Sequence, residues 1–225
     1  MAAVTQKNIS ELQSKLLGWF ELEKRLFPWR KEGLSEYMLI IAEVLLQRTK
    51  AETVAGFYSK FIKDFPSWQS IADAGVEQIE TSLKPVGLYR QRAARLLKLA
   101  REMVLREGRI PSEKEELKNI PLMGQYITNA VLLIIHRQRV PLIDVNMARV
   151  LERYFKEREM ADIRYDPHLQ KLALQFADHP NSKELSWAIL DFAALICRAR
   201  NPKCQDCFLL LKCAYYQRTL KIIAK

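Results

Sequence analysis

Apolar positions recur along this chain with a helical period almost throughout. Over residues 9–26 (ISELQSKLLGWFELEKRL), Leu12, Leu16, Trp19, Phe20 and Leu22 form a stripe beside a charged face, which predicts an amphipathic helix. Phe27-Pro28-Trp29-Arg30 ends it. Residues 36–48 (EYMLIIAEVLLQR) are apolar on nearly every side, which predicts a buried helix with Glu43 in its middle. Two more helices are predicted near 51–64 and 67–73, then a turn region over Thr81–Gly87. Leu88-Tyr89-Arg90 leads into a basic helix carrying Arg90, Arg92, Arg95, Lys98 and Arg101, and Arg106–Ser112 reads as a loop. Later helices are predicted near 145–156, 167–178 and 183–197, before a short basic tail, Arg218–Lys225. No segment alternates like a strand and nothing repeats. Seven glycines leave little room for tight β-turns, so the predicted class is all-α.

The segment Leu117–Arg153 differs from the rest. Pro121 and Gly124 bracket a tight turn, since proline fixes its own φ and glycine tolerates a positive one. Ile127, Val131, Ile134 and Ile135 then return at helical spacing, placing one face of the next helix in a core. Backbone N–H groups at such a turn and helix start lack intrahelical partners and can hold an anion such as a DNA phosphate. About twenty residues later Asp144 stands alone among Pro141, Leu142, Ile143 and Val145, at the predicted start of another helix. There the helix dipole and free N–H groups are expected to lower its pKa. From these residues alone, the turn is either a connector or a phosphate grip. Asp144 is either an N-cap or a working carboxylate, and the two roles are compatible.

Charge and cysteines narrow the partners. A net charge of +10, with pI near 9.5, suits a polyanion, and nucleic acid is the obvious one. No apolar run of about 18 residues exists, so no membrane span is expected. The N-terminus lacks a basic-then-apolar signal pattern, which points to the cytoplasm. All four cysteines cluster late, as Cys197, Cys204, Cys207 and Cys213, spaced C-x6-C-x2-C-x5-C. In a cytosolic chain this is a metal pattern rather than a disulfide framework, and thiolates suit either zinc or an iron–sulfur cluster.

The hairpin Ile120-Pro121-Leu122-Met123-Gly124, followed at that distance by Asp144, resembles the helix-hairpin-helix DNA glycosylase superfamily that includes endonuclease III and the mismatch adenine glycosylase. The family hairpin usually reads Leu-Pro-Gly-Val-Gly, so Leu122 stands in place of a glycine, where a positive φ is expected. The resemblance implies a helical core lobe near 29–137, with six helices and the hairpin. It implies a discontinuous second lobe from 1–28 plus 138–225, with a DNA-binding groove between the two. The cysteine spacing resembles that of the family's [4Fe–4S] cluster. The implied job of the cluster is to fold Arg198–Lys212, so that Arg198, Arg200, Lys203 and Lys212 meet phosphates. The implied partner is double-stranded DNA with a mismatch, bound by a monomer.

Breaking an N-glycosidic bond develops cationic character at C1′ and sends the base off with negative charge. The resemblance gives Asp144 the first task, as catalytic carboxylate. It gives Glu43, in Ala42–Thr49, a role on the flipped base, where burial would raise its pKa and suit proton donation. Arg48 matches the residue that fills the gap left by the flipped nucleotide, and Leu88 matches the wedge in the opposite strand. Gly124 and Gln125 are the hairpin's implied DNA contacts. The position of Tyr126 carries lysine in endonuclease III and usually serine in the adenine glycosylase. Tyrosine resembles the thymine-DNA mismatch glycosylases of the Mig type, which act on thymine or uracil opposite guanine. Rival expectations are an adenine glycosylase of reduced length and a DNA-structure-binding module without base release.

Overall fold

The computed structural model describes residues 4–223, and among them every regular element is helical. The α-helices are α1 Gln6–Glu23, α2 Glu36–Leu46, α3 Ala51–Asp64, α4 Trp68–Asp73, α5 Val76–Leu83 and α6 Tyr89–Leu105. They continue as α7 Lys114–Leu117, α8 Gln125–Ile134, α9 Val145–Tyr154, α10 Pro167–Ala177, α11 Ser182–Leu195 and α12 Ala214–Ile223. None is long and apolar enough to cross a membrane. The chain divides into two compact units, one made of Met1–Arg25 with Arg137–Lys225 and the other of Leu26–His136.

In the discontinuous unit, α1 starts where the Thr5 hydroxyl accepts the Asn8 N–H at 3.3 Å. Ile9, Leu12, Leu16 and Phe20 are buried at three- and four-residue spacing and pack on α10 and α11. Leu22 does not join them. It is 85% exposed, because it lies about 200° around the helix from Phe20. The helix also ends at Glu23, short of Leu26. Arg25 then docks on fully buried Asp191 of α11, through Nε at 2.7 Å and its backbone N–H at 3.0 Å. α12, read from the sequence only as a basic tail, begins directly after Cys213, whose carbonyl accepts the Gln217 N–H at 3.1 Å.

In the continuous unit α2 is the central helix, started by the Ser35 hydroxyl and buried from Ile40 through Leu45. Two phenols pin its first turn. Tyr37 donates to the Phe65 carbonyl at 2.5 Å, and Tyr58 donates to the Met38 carbonyl at 2.8 Å. Desolvation in this packing pushes the Tyr58 phenol up to about 12. The region expected as a turn over Thr81–Gly87 is largely α5, followed by a 3₁₀ turn at Lys84–Val86. Ile79 and Leu83 bury one side of α5 against α6. The hairpin consists of one-turn α7, the turn 118–124 and α8, whose residues Ile127–Ile134 are all buried.

Candidate active site and cysteine loop

Asp144 is the N-cap of α9 in the discontinuous unit. One carboxylate oxygen accepts the N–H groups of Asn146 and Met147 at 2.9 and 2.8 Å, and the other accepts the Asn146 side-chain amide at 2.5 Å. Sequence reasoning expected these donors to lower its pKa. The pKa is instead raised, because desolvation outweighs the donors and the charge of Arg149. The Asn146 side-chain Oδ1 accepts from Arg149 Nη2 at 3.1 Å. The same guanidinium donates to the carbonyls of Ala193 at 3.0 Å and Cys197 at 2.9 Å. One turn on, Arg153 donates to the carbonyls of Arg198 at 2.7 Å and Ala199 at 3.1 Å, and stands 4.7 Å from the Tyr215 ring centre. Two arginines of α9 therefore bind the helix that opens with Asp144 to the start of the cysteine loop. Sequence reasoning assigned them no such role, since arginines at i and i+4 give no sign of which distant carbonyls they meet.

The four cysteines line one cavity of about 370 Å³, open mouth included, together with Tyr154, Phe192, Leu209 and Tyr215. Tight turns bring the sulfur-bearing residues around: Cys207 N–H donates to Cys204 at 3.2 Å, and Cys213 N–H to Leu210 at 3.2 Å. Burial pushes the Cys207 thiol up to about 11, against the Leu209 N–H and with the other three thiols adding to it. Among the described residues, no three His, Cys, Asp or Glu side chains converge to hold one metal ion. Arg198, Arg200 and Lys203 are exposed on the loop. Lys212 is engaged by Glu11 of α1.

The continuous unit carries the other candidates. Glu43 is buried on α2, at 7% exposure. Just past the end of that helix Arg48 is exposed, with φ at +54°. Leu88, the residue before α6, has φ at +46° and is 58% exposed, so it is no part of the core. At the hairpin the positive φ falls on Leu122, at +68°, whereas Gly124 has an ordinary φ of −69°. The turn is held by Gly124 N–H to Leu122 at 2.8 Å and by the Thr128 hydroxyl to the Met123 carbonyl at 3.0 Å. Gly124 is exposed at the start of α8, and a Cβ there would meet nothing within 4 Å. Gln125 and Tyr126 follow it, both half-buried in the first turn.

Residues 41–173 match the family of HhH-GPD superfamily base excision DNA repair proteins. The chain is 33% identical to a thymine/uracil-DNA glycosylase of Pyrobaculum aerophilum, over 95% of each chain. It is also 33% identical to a thymine-DNA glycosylase of Aeropyrum pernix, over 96% of this chain and 99% of that one. A solved structure of a thermostable thymine-DNA glycosylase superposes with a TM-score of 0.87 at 30% identity, covering 94% of this chain and 98% of the other. The chain belongs to the HhH-GPD superfamily of base excision DNA repair proteins.

Proposed function

We propose that this protein is a monofunctional DNA glycosylase that hydrolyses the N-glycosidic bond of thymine, and of uracil, mispaired with guanine. One observation carries the reading: its similarity to relatives named for thymine and thymine/uracil runs over nearly the whole of both chains. In the reaction, the C1′–N bond breaks, a water oxygen bonds to C1′, and the departing base takes a proton. Asp144, ionised and held still by three donors, stabilises the cationic sugar. Glu43 is the proton donor to the base. Arg48 and Leu88 enter the duplex where the nucleotide leaves it. Gly124 and Gln125 present the start of α8 to a phosphate. Tyr126 offers a phenol, which forms no imine with C1′, so the strand stays intact around an abasic site.

The four cysteines fit a [4Fe–4S] cluster. They line a single cavity, and thiolates are the ligands such a cluster takes. Cys197, Cys204, Cys207 and Cys213 would hold it. Bound there, it would fix the loop from which Arg198, Arg200 and Lys203 would meet phosphates. Elemental analysis of purified protein should give about four irons per chain, and one zinc in their place contradicts the cluster.

Duplexes carrying G·T, G·U, A·8-oxoguanine and A·G test the substrate. Alkali-labile breaks are expected at G·T and G·U. Release of adenine instead would make the protein an adenine glycosylase, and binding without release would make it a recognition module.

A further inference from the structure

The two residues assigned above to enter the duplex share an unusual backbone. Arg48 and Leu88 are both non-glycine residues with positive φ, and both are exposed. Such a conformation is strained for an L-amino acid. It persists only where the surroundings over-determine it.

The Arg92 side chain, on α6, reaches the first of these places. Its Nη1 donates to the Leu45 carbonyl at 3.0 Å, while Nη2 donates to the Gln47 carbonyl and to the Thr49 hydroxyl, the latter at 2.7 Å. The Thr49 hydroxyl in turn donates to the Gln47 carbonyl at 3.3 Å. These carbonyls lie at the end of α2, where no further helical N–H exists to meet them. A planar fork of donors suits two diverging carbonyls and a hydroxyl, as an ammonium point charge does not. The turn that displays Arg48 is thereby closed from outside its own helix. At its backbone, Arg92 donates its N–H to the Leu88 carbonyl at 3.0 Å, within the first turn of α6. The guanidinium is half-buried, and Arg48 lies near enough for its charge to act on it, after burial the second influence lowering its pKa.

We infer that Arg92 is a positioning residue that holds Arg48 in its inserting conformation, and so governs extrusion of the target nucleotide rather than cleavage of its glycosidic bond. The inference rests on the function proposed above. Its signature is a loss that depends on how firmly the target base is stacked, because extrusion costs least for a base that is already unstacked.

The test is single-turnover base release from two duplexes with the same G·T pair. In one the flanking pairs are intact, and in the other they are mismatched, so that the thymine is already loosened. Arg92→Lys should slow release about tenfold or more from the intact duplex and less than about threefold from the loosened one. Thr49→Val, which removes one arm of the contact and keeps the guanidinium, should shift the ratio the same way by less. Equal losses on both duplexes, or no loss on the intact one, overturn the role. Should Arg92→Lys fail to fold by circular dichroism, the Thr49→Val ratio decides by the same criterion. A parent protein that releases no base from either duplex overturns the proposed function itself, and this role with it.

Discussion

In the proposed reaction Asp144 is under two opposed demands. Stabilising a cationic sugar requires an ionised carboxylate, while its partly buried place at the head of α9 raises its pKa despite three hydrogen-bond donors. A carboxyl with a folded pKa above its unfolded one favours the folded state when protonated. That contribution is fully present below the unfolded value and is lost as pH rises through the folded one. Asparagine does not titrate and caps a helix about as well. Thermal melts of Asp144→Asn and the parent should therefore diverge in the variant's favour from acid to neutral pH, and the opposite drift contradicts the environment described. Base release by the same variant should fall about a hundredfold or more with duplex binding retained. Leu122 makes a separate case. At φ +68° it occupies backbone that glycine takes without strain and a β-branched residue takes worst. Leu122→Val should melt below the parent, by about 1 kcal/mol or more of stability, and Leu122→Gly should lie above Leu122→Val. The reverse order would mean the hairpin does not use this left-handed position.

At the level of elements, the hairpin separates what the fold needs from what a ligand needs. Gly124 has an ordinary φ and open space where a Cβ would stand, so nothing inside the protein demands glycine there. Gly124→Ala should leave the melting temperature within a degree or two and still weaken duplex binding, because the added methyl meets the approaching phosphate. Unchanged affinity by fluorescence anisotropy would remove the start of α8 from the DNA contact. The same elements show what a sequence discloses. The buried stripes of α1 and α2 were legible because long helices repeat their period several times. α5 was not, since Ser82, Pro85 and Gly87 at and beyond its end read as turn residues. The positive φ expected where Leu122 replaces a glycine is present. The carbonyl contacts of Arg92, 45 and 47 residues away, and of Arg149, 44 and 48 residues away, leave no local pattern at all. The acidity of Asp144 was misjudged for a related reason: the donors are local and visible, and the burial that outweighs them is not.

For the whole molecule, a net charge of +10 on an all-helical chain of the HhH-GPD superfamily is charge suited to a polyanion. The central claim is about the product: a base removed by water, with no covalent link between protein and sugar. The most direct measurement is therefore a single-turnover reaction on an end-labelled G·T duplex, divided between neutral quenching, alkali and borohydride. Neutral quenching should leave a full-length strand, alkali should cleave it at the thymine position, and borohydride should trap no protein–DNA adduct. A borohydride-trapped adduct would contradict the claim, because only an amine could have formed the imine, and Tyr126 would then not stand where the nucleophile acts.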